Sequence, residues 1–372
     1  MPTEVAPTLP KYQHIYNALH GEIVAGSVKP GERLPSEAEL VKTFGASRIT
    51  VSRALRDLQH AGLVERRAGS GTYVLDTRRH PRVQAMSFGL LVPELGETEI
   101  LEPICQGVAN APAAREHAVV SGCAAGGPEH KEEIAWARCR QYIDRRVSGV
   151  FFAPLELTPG KDAVNTRITT ALKKAGIPIV LLDRPVQPYG WREDHDLVGI
   201  DNRRAGYRIT EHLLRPGARR VAFASLLNAA PTVDARRAGY REALHRYGAP
   251  VEAGLTFEVD PDDREGVRRF MVQENPDAIV CANDRTAALV MQTLLSLGCA
   301  IPDDVRIVGI DDVPYASLLP VPLTTLRQPC HEIGATAMSA MLDRVARPDL
   351  PPRDIFLHPT LIVRRSCGAP AV

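Results

Sequence analysis

A chain of 372 residues with 44% hydrophobic and 24% charged side chains is too long for one ordinary domain. It has ample core-forming material, which excludes a disordered or fibrous polymer. The formal net charge of +1 conceals an asymmetry: up to Arg82 there are 12 Lys and Arg against 8 Asp and Glu, and beyond it 33 against 36. A nucleic-acid partner therefore fits the first stretch only.

Residues 1–10 hold three prolines and read as a loose arm. Tyr12, Ile15, Tyr16, Leu19 and Ile23 then recur at helical spacing, which predicts an amphipathic helix over Lys11–Ala25 that stops at Gly26. Ser36 with Glu39 three residues on forms a capping box. It opens a second helix that turns Leu40, Val41 and Phe44 inward and ends at Gly45. Ser47 caps the third helix, whose stripe Val51, Ala54, Leu55 and Leu58 is to be buried. Its opposite face carries Ile49, Ser52, Arg53 and Arg56, with Arg48 at the N-terminal end. Two helices joined by a short glycine turn, the second bearing arginines, meet the needs of major-groove docking. Gly62 closes that helix. Leu63–Arg67 and Thr72–Val74 read as a hairpin around Ala68-Gly69-Ser70-Gly71, whose glycines let backbone approach a phosphate or a groove. Asp76–Ala85 is polar, lacks periodicity and reads as a linker.

From Met86 onward short apolar runs alternate with amphipathic segments. Phe88–Val92, His117–Ser121, Val150–Ala153, Ile179–Leu182, Leu197–Ile200, Val221–Ala224, Ala278–Val280 and Val305–Ile310 are the expected buried strands. Helices are expected at Glu132–Arg146, Arg167–Ala175, Arg203–Leu214, Arg236–Tyr247 and Thr286–Leu297. Such alternation gives doubly wound parallel sheets, here in two lobes, with ligands beyond the carboxyl ends of the strands. The residues at those ends are Pro93 and Glu94, Asp183 and Arg184, Asp201 and Asn202, Asn283 and Asp284, and Asp311 and Asp312. A cleft lined in this way suits a hydroxyl-rich molecule. Taken singly, Asp201 and Asp311 read more readily as helix caps or turn formers than as ligand contacts. No Gly-x-Gly-x-x-Gly follows a strand, so no dinucleotide is expected. No nucleophile elbow, phosphate loop or metal set is present, so neither an enzyme nor a cofactor is expected. The seven cysteines form no Cys-x-x-Cys pair, and the histidines show no metal-ligand spacing. With no secretory leader pattern and no apolar run of about 18 residues, a cytoplasmic location without membrane contact is expected.

The stretch Tyr12–Val74, with "PGERLPSEAEL", "SRITVSRALRDL" and "GLVERRAGSGTYV" in order, closely resembles the winged helix-turn-helix of the GntR family. The resemblance implies that Ser47, Arg48 and Thr50 contact DNA and that Gly69 lies near the minor groove. Ser52, Arg53, Arg56 and Ser70 complete the expected DNA-binding set. Ser52 and Ala38 stand where relatives carry arginine, so the operator sequence is not carried over.

From about Met86 to Cys367 the chain resembles the effector domain of the LacI/GalR repressors and the related periplasmic sugar-binding proteins. The pieces are "GIPIVLLDRPV", "VGIDNRRAGYRITEHLL", "ARRAGYREAL", "CANDRTAALV", "GCAIPDDVRIVGIDDVPYA" and "PLTTLRQP". The resemblance implies that Asp183 or Arg184, Arg236, Asn283 with Asp284, and Asp311 hold the effector, with Asp201 beside them. It places Gln328 at a crossover between lobes. Carboxylates accept from vicinal hydroxyls while a guanidinium donates a fork of bonds, a mixture that reads polyols. Pro261 falls where relatives carry a sugar-stacking aromatic. The implied lobes are about 86–199 plus 328–350 and about 200–327 plus 353–366, joined by three crossovers and closing by hinge motion.

The expected molecule is thus a winged helix-turn-helix over 11–75 followed by a two-lobed α/β, periplasmic-binding-protein-like domain over 86–367. Its expected role is a homodimeric repressor that binds a double-stranded DNA operator under the control of a small effector, a carbohydrate. The rival readings are a sugar-binding receptor and a doubly wound enzyme.

Overall fold

The computed structural model describes residues 11–24, 26–60, 63–67, 70–75, 85–92, 99–121, 130–260 and 263–369. The chain divides into two compact units, one ending at Ala85 and the other starting at Met86. The expected arm, Gly62, Gly69, Pro93, Glu94, Pro261 and the linker except Ala85 lie outside the described residues.

Helix boundaries in the first unit are set by single side chains. The Ser36 hydroxyl accepts the Glu39 backbone N–H at 3.3 Å, and the Glu39 carboxylate accepts the Ser36 N–H at 2.7 Å. This is the capping box, and it starts α2 (Glu37–Phe44). Gly45 ends α2 in the left-handed region at φ 55°, where a side chain would be strained. The Ser47 hydroxyl then accepts the Thr50 N–H at 3.2 Å to start α3 (Arg48–His60). Val51, Ala54, Leu55 and Leu58 of α3 are buried against Ile15 and Leu19 of α1 (Lys11–Val24) and Leu40 of α2. Val64 and Val74 close this core from β1 (Val64–Arg67) and β2 (Gly71–Val74), an antiparallel pair in which those two residues face each other. Each buried valine, leucine or isoleucine here contributes about 1.5–3 kcal/mol, which is what lets three short helices hold.

In the second unit several strands are buried throughout, as parallel sheets with covered faces require. The first sheet is built from β3 (Ser87–Leu91), β4 (Ala118–Ser121), β5 (Gly149–Phe152), β6 (Ile179–Leu182) and β7 (Asp196–Ile200). The second takes β8 (Val221–Leu226), β9 (Thr256–Val259), β10 (Ala278–Cys281), β11 (Arg306–Asp311) and β12 (Thr324–Arg327). Around them run α4 (Leu101–Asn110), α5 (Lys131–Asp144), α6 (Lys161–Lys174), α7 (Asn202–Leu214), α8 (Pro231–Tyr247), α9 (Arg264–Glu274), α10 (Asp284–Ser296) and α11 (Cys330–Ala346). Two more strands, β13 (Asp354–Leu357) and β14 (Thr360–Ile362), complete the sheets. Their orders are β13-β7-β6-β5-β3-β4 and β14-β12-β11-β10-β8-β9. Every pairing within them is parallel except β12 with β14.

The stretch 353–366, expected in the second lobe, is divided: Asp354–Leu357 is the edge strand of the first sheet, with Ile355 opposite Val198, and only Thr360–Ile362 joins the second sheet, beside β12. The anchor of that edge strand is Asp196, wholly buried at the start of β7. That carboxylate accepts from Arg344 of α11 at 2.8 Å, and from the Arg353 backbone at 2.9 Å and side chain at 3.0 Å. The chain therefore crosses between lobes after β7, after β12 and between β13 and β14.

In the second lobe α7 and α8 pack backbone on backbone. A Cβ on Gly239 would come within 1.8 Å of the Arg203 carbonyl, and one on Gly206 within 2.0 Å of the Arg236 carbonyl. That contact fixes Arg236 relative to the start of α7.

Candidate functional sites

The open face of α3 in the first unit is organised by one carboxylate. Arg48 is 83% exposed, and its Nε lies 3.6 Å from Glu37 Oε2 at the start of α2. The other Glu37 oxygen pairs with Arg66 of β1. An arginine of the third helix and an arginine of the hairpin thus share one acid. Arg56 is exposed and Ser52 half-buried on the same helix.

Arg53 is exposed too, but its guanidinium stacks 3.9 Å above the Tyr12 ring of α1. A contact of this kind is worth about 0.5–1 kcal/mol, and it braces α1 against α3. The Ser47 and Thr50 hydroxyls lie 2.8 Å apart and close the helix cap. Ser70 is likewise engaged, its hydroxyl 2.8 Å from that of Tyr73. Glu37 and the hairpin arginines Arg66 and Arg67 were missing from the sequence candidates. The run Glu65-Arg66-Arg67 on a predicted wing strand was the available signal.

In the second unit the expected residues fall into two groups. Asp183 follows β6 of the first lobe and Asp311 ends β11 of the second. Both have positive φ, 65° and 134°, a strain of order 1–3 kcal/mol for residues other than glycine. Arg236 of α8 donates from Nε to Asn202 Oδ1 at 2.8 Å and from a terminal nitrogen to the Ala282 carbonyl at 2.6 Å. Its remaining nitrogen lies 3.8 Å from Asp311 Oδ1. Gln328 donates to the same oxygen at 2.8 Å.

Burial pushes the Asp311 carboxyl well above the ordinary carboxylate range, although the Arg236 guanidinium pulls the other way. The Asp183 charge adds to that rise, so the two strand ends are within electrostatic reach of each other. Burial raises Asp183 as well, against the opposing pull of Arg184 and Arg236. Two acceptors here, Asp183 Oδ1 and Gln328 Oε1, are buried with no hydrogen-bond donor among the described residues. A buried acceptor without a donor costs about 1–3 kcal/mol.

The second group shapes the walls. Arg184 is wholly buried, 2.9 Å from Glu156 and 3.6 Å from Asp183, and donates to the Pro154 carbonyl at 3.1 Å. Glu156, which the sequence reading passed over, also accepts the Ala230 N–H of the second lobe at 3.3 Å. Beside it the Leu157 N–H donates to the Asn228 carbonyl at 2.8 Å, a main-chain bond between the lobes. Asp284 is fully buried, accepting from the Thr325 hydroxyl at 2.6 Å and the Val313 N–H at 3.1 Å. Burial pushes its carboxyl up to about 6. Asn283 caps α10 by accepting the Thr286 N–H at 2.8 Å. Asp201 caps α7 through the Arg204 N–H at 2.9 Å, the helix-cap role open to a strand-end aspartate. It also borders a separate cavity of about 280 Å³ rimmed by Tyr189, Trp191 and Phe356.

Residues 11–74 match the gntR family of bacterial regulatory proteins, and residues 210–367 match the periplasmic binding protein-like domain. The arabinose metabolism transcriptional repressor of Geobacillus stearothermophilus is 27% identical over 368 residues, 96% of this chain and 98% of the relative. The repressor of the same name from Halalkalibacterium halodurans is 25% identical over 376 residues, 96% of each chain. Among solved structures, the transcription regulator GntR from Chromobacterium violaceum superposes with a TM-score of 0.60 at 25% identity, covering 76% of this chain and 100% of that one. No helix among the described residues is long and apolar enough to cross a membrane. The chain is a transcriptional repressor in two parts, a gntR-family DNA-binding domain followed by a periplasmic-binding-protein-like effector domain.

Proposed function

We propose that the effector of this repressor is a small carbohydrate held between the two lobes, and that it controls the affinity of a homodimer for a two-fold operator. The observation that carries the reading is the pair of buried acceptors, Asp183 Oδ1 and Gln328 Oε1, beside Arg236 and Asp311. Hydroxyl groups supply the missing donors, and the remaining terminal nitrogen of Arg236, held in place by the bonds of the other two, donates to ring or hydroxyl oxygens. The relatives are named for arabinose metabolism, so pentoses head the candidates. In this reading Asp183, Arg236, Asp311 and Gln328 touch the sugar, with Asn283 and Asp201 beside them. Arg184 and Asp284 hold the walls that aim them. On the DNA side Arg48, Ser52 and Arg56 face the groove. The capping hydroxyls of Ser47 and Thr50 and the hydroxyl of Ser70 in the hairpin approach phosphates.

Control requires that the effector bind the operator-bound and operator-free forms with different affinity, and the coupling is reciprocal. Dimerisation has a physical motive, since two joined readers gain effective concentration on one duplex. The test is a gel shift on DNA upstream of the gene with a panel of pentoses, hexoses and disaccharides, paired with calorimetric sugar titration with and without operator. One sugar should change the shift and bind with an affinity that depends on operator. Equal affinity in both titrations would remove the proposed control.

A further inference from the structure

Ile49 is the most exposed large apolar side chain among the described residues, 83% open, and the only such side chain described in the first unit. It is the second residue of α3. Ser52, Arg53 and Arg56 follow at i+3, i+4 and i+7, so Ile49 shares their face. Arg48 precedes it with an almost fully exposed guanidinium. An isoleucine set among arginines on a solvated helix face gains nothing from its surroundings in the free protein.

Against DNA the same side chain has one good partner. It carries neither donor nor acceptor, so it cannot engage a phosphate or the polar edge of a base. In the major groove the one apolar feature of a base edge is the C5-methyl group of thymine. The N-terminal end of the second helix of a helix-turn-helix is the part that reaches base edges. A β-branched side chain in a helix holds essentially one rotamer, so little freedom is lost when it meets a base. The flanking arginines bring the phosphates that press this end into the groove.

We infer that Ile49 reads a thymine by its methyl group in the major groove. It is a residue that sets sequence preference, next to arginines that set affinity. This rests on the DNA-binding role of α3 and adds the base that its first turn selects.

The test uses the full chain and a duplex that the protein itself selects from a random pool. Each thymine is replaced in turn by deoxyuridine, which deletes only the methyl group. At one thymine in each half-site the swap should weaken binding about three- to fivefold, the value of one buried methyl-sized contact. I49A should bind the unmodified duplex more weakly by the same factor and be indifferent to uracil at that position. I49V should keep part of the discrimination. Because the side chain is exposed, I49A should melt at the wild-type temperature, which separates lost reading from lost folding. The inference falls if no uracil swap weakens the wild type, or if I49A feels the swap as strongly as the wild type. Failure to select any duplex would remove the DNA-reading role of α3 as well, a different result from binding without methyl discrimination.

Discussion

Gln328 donates its side-chain amide to Asp311 Oδ1 at 2.8 Å, so the first residue after β12, where the chain crosses between lobes, is tied to the end of β11. We expect Q328A to weaken sugar binding by about two- to tenfold, what a hydrogen bond between a neutral amide oxygen and a hydroxyl contributes. The variant should keep its melting temperature within a few degrees. Titration calorimetry checks this, and a wild-type affinity for Q328A would take Gln328 out of the proposed site.

Sugar binding should release protons. Burial raises Asp183 and Asp311 above their ordinary values, so between the ordinary and the raised values the free domain keeps protons that open carboxyls would have lost. These two carboxyls cost stability as pH climbs from the ordinary value of 3.8 through their raised values. A ligand that donates hydroxyl groups to them favours the ionised forms and lowers both values. Affinity should therefore rise with pH across that window. Titrations in two buffers of different ionisation enthalpy should show net proton release, and D311N should lose most of it. Proton uptake would contradict the assignment.

D196N should destabilise the second unit by about 3–5 kcal/mol, the usual cost of removing one partner of a buried ion pair. Burial by itself would raise the Asp196 carboxyl, but the Arg353 and Arg344 hydrogen bonds hold it below the ordinary value of 3.8. Its contribution is thus present above 3.8 and lost as pH falls through the depressed folded-state value. Urea melts at pH 7 and pH 3 check both parts: the gap between wild type and D196N should be large at the first and narrower at the second. An equal gap at both would mean that the charge of Asp196 is not what matters.

E37Q should bind random-sequence DNA more tightly than the wild type while discriminating its operator less well. Glu37 offsets charge on Arg48 and Arg66 and holds both guanidinium groups in place. Neutralising it frees two cations for any phosphate, steepening the dependence of affinity on salt by about one counterion. Binding isotherms at several salt concentrations on specific and random duplexes provide the measurement. An unchanged ratio of the two affinities would show that the shared carboxylate has no part in selection.

What could be read from the sequence followed the range of the forces involved. The capping box at Ser36 and Glu39 spans three residues, so its geometry is local and legible. The apolar cores of β5, β6 and β10 were legible because burial on both faces demands unbroken apolar runs. β13 was not: alternate residues are exposed, and its partner β7 lies far away in sequence. Asn283 and Asp284 look alike as strand-end polar residues. Only the packing of β12 beside β11 brings Thr325 beneath one of them and turns Asp284 into a wall. The stacking of Arg53 on Tyr12 likewise depends on how two helices cross.

The interleaving of the lobes has a consequence for synthesis. The first sheet begins at Ser87, yet its edge strand is Asp354–Leu357 and the helix that covers it is Cys330–Ala346. The first lobe therefore cannot finish until nearly the whole chain has left the ribosome, whereas the first unit, whose last strand ends at Val74, is complete long before. A message broken between these points yields a DNA reader with no finished sensor. Such a fragment should bind DNA without answering the effector, which gel shifts with and without sugar on a chain stopped just before Cys330 would check.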